Sequence, residues 1–504
     1  MVSTVCSAGM YGVEGYLVIV ECETSSGLPA FDIVGLPGLA VKESKERVRA
    51  AARSSGFPLA PARITVNLAP ADVRKEGAVY DLPILLGLLV AQGSCPKLPE
   101  ECVCIGELSL SGELRPVNGV LSMAMAAKDA GKKVLLVPEG NAAEAALAGD
   151  IEIYAAHTVK DIVHHLEGLQ IMQPYVLQKQ PREIHGPELD YAEVLGQENV
   201  KRAMEIAAAG GHNILLSGSP GSGKSMMAKR IGTILPELTE EEKKEVVRVY
   251  SAIGEGMDAV MRDDRPVRSP HHTISPAGMA GGGVGIPSPG ELSLAHNGVL
   301  FLDELPEFSK DALEVLRQPM EDGVVTIVRA SGRVTYPARF QLVCAMNPCK
   351  CGWYGHPSGR CRCSPQEVAR YHKRISGPLL DRIDLQIAVQ PVPLESLAGR
   401  EAAEPSSAIR ARVVAAREVQ RKRYEGTTIR CNAEMSGALL AKYGQPDEAG
   451  QALMNAAFER LGMTARSYDR VIRVARTIAD LDGAEHISAA HVAEAIQYRF
   501  SERT

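Results

Sequence analysis

The run GSPGSGKS, residues 218–225, sets glycines, a lysine and a hydroxyl in an order suited to phosphate chemistry. Gly218, Gly221 and Gly223, with Ser219, Pro220 and Ser222 between them, make a loop whose backbone N–H groups can turn into one concavity and cradle phosphate oxygens. Lys224 supplies the charge that neutralises the β and γ phosphates, and Ser225 a hydroxyl for magnesium. The loop follows the apolar run ILLS and precedes helical spacing, the context that separates a nucleotide site from a chance glycine turn. Downstream, GVLFLDEL places four apolar residues before Asp303 and Glu304. A buried parallel strand ending in two carboxylates can hold magnesium through one and polarise an attacking water through the other. Together these segments predict ATP and Mg2+ as cofactors and ATP hydrolysis as the reaction.

Further along, FQLVCAMNPC reads as another buried strand, ending at Asn347, a residue able to orient the water or sense the γ phosphate. ISGPLLDRIDL puts Arg382 after a short helical turn, and TARSYDRVIRVARTIADL puts Arg466, Arg470 and Arg473 on one helix face. In CKCGWYGHPSGRCRC, Cys349, Cys351, Cys361 and Cys363 form two C-x-C pairs with nine residues between them. Four thiolates so close suit tetrahedral Zn2+, with His356 as a reserve ligand. The C-x-C spacing is tighter than the usual C-x-x-C, and disulfides or idle thiols are the alternative. Because this segment lies outside the phosphate loop, its loss is expected to spare ATP turnover. Residues 360–374 hold five basic residues and one acid, a patch that either meets nucleic acid or faces water.

Elements that must position these residues are legible in outline. A chain of 504 residues suggests about three domains. GYLVIVECE, ARITVNLAP, CVCIGELSL and KKVLLVPE read as strands, while AVKESKERVRAAARSSG and VLSMAMAAKDAG read as helices closed by glycine. Residues 1–170 are therefore expected to form an α/β domain and 171–187, with three prolines, a linker. A P-loop α/β core spans 188–395, and a helical domain 396–504. The net charge of −6 argues against a globally basic binder, and a single tryptophan against an aromatic platform for single strands. The N-terminus has no signal-peptide pattern, and the apolar run LPILLGLLVA is half the length of a membrane span. The scattered cysteines fit a reduced compartment, and the expected location is cytoplasmic.

With its P-loop, acidic strand end, Asn347 and Arg382 in this order, the central segment resembles AAA+ ATPases of the helix-2-insert group, which includes magnesium-chelatase motors and MCM helicases. The resemblance implies sensor 1 at Asn347, an arginine finger at Arg382 and a sensor-2 arginine at Arg466, with Arg374 as the second candidate for the finger. A finger acting in trans implies a homo-hexameric ring. It also implies a helix-2 insert in the glycine-rich stretch from His271 and a pre-sensor-1 hairpin over residues 323–340. There, Arg329 and Arg333 flank the tip Ala330-Ser331-Gly332 and would grip the DNA backbone. His271 and His272 read as polar loop residues.

The stretches RKEGAVYDLPILLGLL and IGELSLSGELRPVNGV resemble the Lon protease domain. The positions of its serine nucleophile and lysine base are here Val79 and Leu121, which can do neither job, so a Lon-like fold without proteolysis is expected. The whole combination resembles the ComM/YifB family. That resemblance implies a cytoplasmic, ATP-driven hexameric helicase promoting branch migration in recombination, with single-stranded and branched DNA and recombination proteins as partners, notably in natural transformation. The alternatives are a magnesium-chelatase-type metal-insertion motor and a protein-remodelling partner of a protease.

Overall fold

The computed structural model describes residues 1–177, 189–254, 264–283, 285–329, 332–391 and 403–500. Strands β1 (Val2–Tyr11), β2 (Glu14–Ser25), β3 (Ala30–Val34), β4 (Arg63–Ala69), β5 (Cys102–Cys104), β8 (Val134–Pro138) and β9 (Glu152–Ala156) build a mixed seven-stranded sheet, ordered β3-β4-β2-β1-β5-β8-β9. A small ribbon, β6 (Glu107–Leu108) with β7 (Leu114–Arg115), stands beside it. The β1–β2 hairpin runs in unbroken register from Val2↔Glu23 to Tyr11↔Glu14. The helix Asp81–Gln92 packs at Ser3 and Cys22, and the helix Val120–Asp129 at Met10, residues of opposite parity and hence opposite faces of the hairpin. Asp81–Gln92 contains the whole run LPILLGLLVA, and its apolar residues up to Leu89 are buried all round, as a helix sandwiched inside a core requires. Among the described residues no helix is long and apolar enough to cross a membrane.

A second sheet is wholly parallel. Its strands are β10 (Ile214–Gly218), β11 (Val267–Arg268), β14 (Val299–Leu302), β17 (Gln341–Met346) and β18 (Leu385–Val389), ordered β11-β14-β17-β10-β18. β14 and β17 are buried at every position, which is why their sequences are near-continuous apolar runs rather than alternating ones; the buried exception, Gln341, donates to Ala207 O and His212 O. Two hairpins stand off this sheet: β12 (Gly281–Gly282) with β13 (Ser288–Pro289), and β15 (Val324–Arg329) with β16 (Gly332–Pro337). After residue 403 the regular structure is helical, with long helices at Ser406–Arg423, Glu448–Leu461, Ala465–Leu481 and Ala489–Phe500. The helix Ser406–Arg423 packs on Glu198–Gly210, joining this end to the parallel sheet. The chain is thus mixed α/β with a helical C-terminal part. Of the proline-rich stretch 171–187, residues 171–177 are coil, and Tyr175 N donates to Ile153 O at 2.7 Å along β9; residues 178–187 lie outside the described residues, as does the junction at 395/396.

The N-terminal unit is docked on the helix Glu240–Ile253 through a buried carboxylate. Glu144 Oε1 accepts from Leu121 N at 2.8 Å and from the Ser251 hydroxyl, while Ser251 Oγ accepts from Gly119 N at 2.7 Å. Burial pushes the Glu144 carboxyl above its usual range, against the pull of these hydrogen bonds. A carboxyl raised on folding favours the folded state at low pH, and that contribution is lost as pH rises through the raised value. Glu144→Ala should lower the first midpoint of denaturant unfolding, at about 1–3 kcal/mol for each buried donor left without an acceptor; an unchanged midpoint would mean that this seam is not buried.

Candidate nucleotide-binding site

Strand β10 lies between β17 and β18, so the loop after it opens where the chain order of the sheet switches direction, the place where ligands of open α/β sheets bind. The loop Ser219–Gly223 leads directly into the helix Lys224–Lys229, with Gly223 in the left-handed region at φ 87°. The Lys224 ammonium is held inside this loop, donating to Gly218 O at 2.7 Å, Ser219 O at 2.8 Å and Asn347 Oδ1 at 3.3 Å. Burial pushes its pKa below the usual lysine value, while Asp303 and Glu304 oppose that shift. Gln197 braces the loop from outside, its Nε2 donating to Ser222 O at 2.7 Å. No spacing signal in the sequence pointed to Gln197.

Asp303 and Glu304 follow the buried β14. The Ser225 hydroxyl donates to Asp303 Oδ2 at 2.6 Å. Two oxygen ligands of an octahedral magnesium at about 2.1 Å stand about 3 Å apart, so this pair fits the ion with a small opening. Glu304 adopts φ 53°, a conformation that non-glycine residues hold mainly where surrounding structure imposes it. Its carboxylate is half-exposed and lies 3.5 Å from His272 Nδ1. His271 is stacked at 4.1 Å on His272, and Phe308 approaches His272 edge-on at 6.4 Å. His272 lies in a turn, as a loop residue should, and in addition reaches Glu304. The signal was beyond sequence reasoning, because the contact joins two segments far apart in the chain.

Arg382 sits at the other end of the sheet. It precedes β18, whose amino-terminal end pairs with Ile214, while Lys224 follows the carboxy-terminal end of β10. Its guanidinium pairs with Glu321 and donates to Pro378 O at 2.7 Å. Arg466 and Arg470 lie beside it across a small cleft, and a larger cavity of about 640 Å³ opens behind, lined by Arg382, Arg417, Arg430, Arg470 and Arg473. Arg470 is committed to Asp384 at 3.6 Å. Burial raises the Asp384 carboxyl, but the His212 hydrogen bond and the charges of Arg470 and Arg473 hold it below the usual range. Arg466 is exposed. Arg374, by contrast, donates to Pro306 O at 3.1 Å and to Glu307 Oε2 at 2.8 Å, next to the acidic strand end of its own chain.

The hairpin β15–β16 separates two residues that the sequence placed together. Val325, Ile327 and Arg329 share one face with Val334 and Tyr336, whereas Arg333 pairs with Val328 on the other, exposed face. Arg329 Nη2 comes within 3.5 Å of where a Cβ on Gly282 would lie, so Arg329 leans over β12. Ala330 and Ser331 of the expected tip lie outside the described residues. Beside its tip, the hairpin meets the N-terminal unit: a Cβ on Gly12 would meet Val334 Cγ1 at 2.5 Å, and one on Gly332 would meet Tyr11 Oη at 2.2 Å.

The four cysteines do converge. Their sulfurs all lie within 4.8 Å of one another, with Cys349–Cys351 at 3.3 Å, Cys351–Cys361 at 3.6 Å and Cys349–Cys361 at 3.8 Å. None is in a disulfide. A tetrahedron of thiolates about 2.3 Å from one zinc has edges of about 3.8 Å, so the donor set fits a single ion. Backbone hydrogen bonds from Trp353 and Arg362 bring the Cys351 thiol down to about 6. His356 is turned away, hydrogen-bonded to Ser358 Oγ at 2.7 Å. The segment lies outside the phosphate loop in the chain but touches it in the fold: Gly352 packs directly on Pro220.

Comparison with known proteins fits this arrangement. A family model described as magnesium chelatase, subunit ChlI, matches residues 190–397; a second, for subunit ChlI of Mg-chelatase, matches 20–141; and a third, for the ChlI C-terminal part, matches 403–499. The chain is 41% identical over 500 residues to the competence protein ComM of Haemophilus influenzae, covering 98% of this chain and 97% of that protein. The chain belongs to the ComM/YifB family. Another ComM/YifB relative, YifB of Escherichia coli, is 40% identical over 507 residues, 99% of this chain and 97% of its own. Similarity to the magnesium-chelatase subunit ChlI of Guillardia theta is 27% over 187 residues, 32% of this chain and 52% of that one. The ComM/YifB family is thus AAA+ and magnesium-chelatase-like, and the matches cover both sheets and the helical end.

His272→Ala should lower ATP turnover by about tenfold to a hundredfold, as misplacement of a catalytic group does, while binding of a fluorescent ATP analogue stays as in the parent. Unchanged turnover would mean that the His272–Glu304 contact has no part in the reaction.

Proposed function

We propose that this chain is the subunit of a homo-hexameric AAA+ ATPase that moves DNA: a helicase or translocase promoting branch migration in homologous recombination, including the integration of incoming single strands during natural transformation. The observation that carries this reading is the opposite placement of two charged groups on one sheet. Lys224, Ser225, Asp303, Glu304 and Asn347 lie at its carboxy-terminal end and Arg382 at its amino-terminal end. An arginine so placed cannot reach its own chain's phosphates, but a ring brings it to the next subunit's. Arg466 shares that face, so both arginines act in trans, with Arg382 as the finger and Arg466 as sensor 2.

In this reading each residue has a role. Gly218 to Gly223 bind the phosphates, Lys224 neutralises them, and Ser225 with Asp303 holds Mg2+. Glu304 takes the proton of the attacking water, and Asn347 orients it. The four cysteines hold one Zn2+. The N-terminal unit, residues 1–170, is a Lon-like domain without proteolysis: Val79 is 7% exposed and Leu121 fully buried, both in the core. The core runs 188–395 and the lid 396–504. The expected location is the cytoplasm, with recombination proteins as partners. Support for DNA as substrate is the end-to-end similarity to a protein named for competence. A metal-insertion motor is the second reading, favoured by the descriptions of the matching family models, but the alignment to the ChlI subunit of Guillardia theta covers 32% of the chain, against 98% for ComM.

Forked or single-stranded DNA should raise the ATPase rate, and porphyrin should not; the reverse would replace DNA motor with chelatase. Arg382→Ala and Glu304→Gln proteins should each be nearly inactive, and mixing them should restore part of the turnover, since one interface then contains both intact groups. A mixture as inactive as its parents, with rings formed, would remove Arg382 from the finger role.

The separated faces of the hairpin refine the DNA contact. Arg333→Ala should weaken binding to all DNA sequences alike and flatten the salt dependence by about one unit of slope. Arg329→Ala should act through the hairpin's seat on β12 instead and leave that slope unchanged. Equal loss of slope in both variants would mean that the two side chains reach the same backbone.

A further inference from the structure

The cysteine cluster and the phosphate loop meet through two separate contacts. Asn347, whose Oδ1 accepts from Lys224 Nζ, leaves β17 only two residues before Cys349, and Cys349 is the fully buried member of the four. Between them, Pro348 O accepts from His372 Nε2 at 2.8 Å, which ties this strand exit to the helix Pro365–His372. The chain then turns back, with Gly352 N donating to Cys349 O at 2.9 Å. That turn lays Gly352, at φ 83°, on the Pro220 ring so closely that a Cβ would come to 2.6 Å from Cγ and 2.7 Å from Cδ. The same Cβ would lie 3.9 Å from Asn347 Cγ. One short turn therefore touches both walls of the phosphate pocket.

The backbone bonds of this segment close local turns: Gly352 N donates to Cys349 O, His356 N to Trp353 O and Gly359 N to His356 O. Residues 350–364 form neither helix nor strand, and their order rests on the sulfur cluster and on Trp353, which meets the His356 ring at 4.9 Å and the Arg360 guanidinium at 5.1 Å. Four thiolates within 4.8 Å of one another repel when ionised, and a divalent ion is what makes their convergence favourable. We propose that a zinc ion bound by Cys349, Cys351, Cys361 and Cys363 is a structural part of the nucleotide site, so that its occupancy sets how tightly the chain holds ATP. This rests on the reading that GSPGSGKS binds ATP and that the four thiols bind zinc. Metal at Cys349 fixes the exit of the strand that carries Asn347. Through the Cys349–Gly352 turn it also holds Pro220 and the loop below.

Two variants of the full-length protein test it, with zinc content, ATP-analogue affinity and turnover each measured. The parent should hold about one zinc per chain. Cys361→Ser/Cys363→Ser should lose the zinc and bind a fluorescent ATP analogue at least about tenfold more weakly, with thermal unfolding of the rest of the chain reporting that it remains folded. Gly352→Ala keeps every thiol; it should retain zinc yet weaken nucleotide binding, because its methyl displaces Pro220 and strains the left-handed backbone. Should the double serine variant not fold, the parent stripped of zinc by a chelator and assayed in excess Mg2+ gives the same comparison, and affinity should return when zinc is restored. Zinc-free parent protein with tight nucleotide binding would overturn the zinc reading. A parent with zinc that does not bind the analogue would overturn the ATP reading. Zinc lost with nucleotide affinity unchanged would overturn the coupling proposed here and leave both of those readings standing.

Discussion

The Lys224 ammonium has to share one small volume with Asn347 and with the Ser225–Asp303 pair, and the parallel pairing of β10, β17 and β14 creates that volume. The registers Ser217↔Met346 and Leu302↔Cys344 bring the three strands to an end nearly level. A slip of one residue would move Asn347 by about 3.3 Å along the strand, as far as the whole Lys224–Asn347 contact. Register here is held by apolar side chains buried on both faces of β14 and β17, so the chemistry at the strand ends depends on packing well inside the sheet.

At the opposite end of the same strands the constraint is electrostatic. Asp384 is buried among His212, Arg470 and Arg473, and a buried carboxylate left without such partners would be strongly destabilising. These charges hold the helix Ala465–Leu481 against β18 and thereby fix Arg382 and Arg466 on a common face. The two ends differ in chemistry, one carrying the glycine loop with Lys224 and the other a group of arginines; in the proposed ring the second would face the first. Such a meeting of unlike faces is what a closed ring of identical subunits requires.

The N-terminal unit makes two kinds of contact with the rest of the chain. Its β1–β2 turn meets the β15–β16 hairpin at Val334 and Gly332, and its Glu144 is buried against Ser251. The hairpin is thus seated between β12 on one side and the N-terminal turn on the other, with its Arg333 face left open. A unit that keeps a complete core around Val79 and Leu121 while lacking nucleophile and base there is consistent with a bracing role.

The sequence by itself determined the local chemistry. GSPGSGKS has few uses other than a phosphate loop, and GVLFLDEL and FQLVCAMNPC read as buried strands with polar ends because the runs VLFL and LVCAM within them are apolar. In the N-terminal unit the helices Leu39–Ser54 and Val120–Asp129 and the strands β2, β4, β5 and β8 followed from periodicity and glycine stops, whereas the helix Asp81–Gln92 and the strands β3 and β9 did not. β1 was not anticipated, since VSTVCSAGMY shows no clean alternation; its burial comes from helices on both faces. Tertiary structure alone decided which segments meet. It brought His272 to Glu304, set Gly352 on Pro220, and placed Arg329 and Arg333 on opposite faces of one hairpin. Those outcomes depend on strand order, register and close packing between residues distant in the chain, and such quantities leave no local pattern from which to read them.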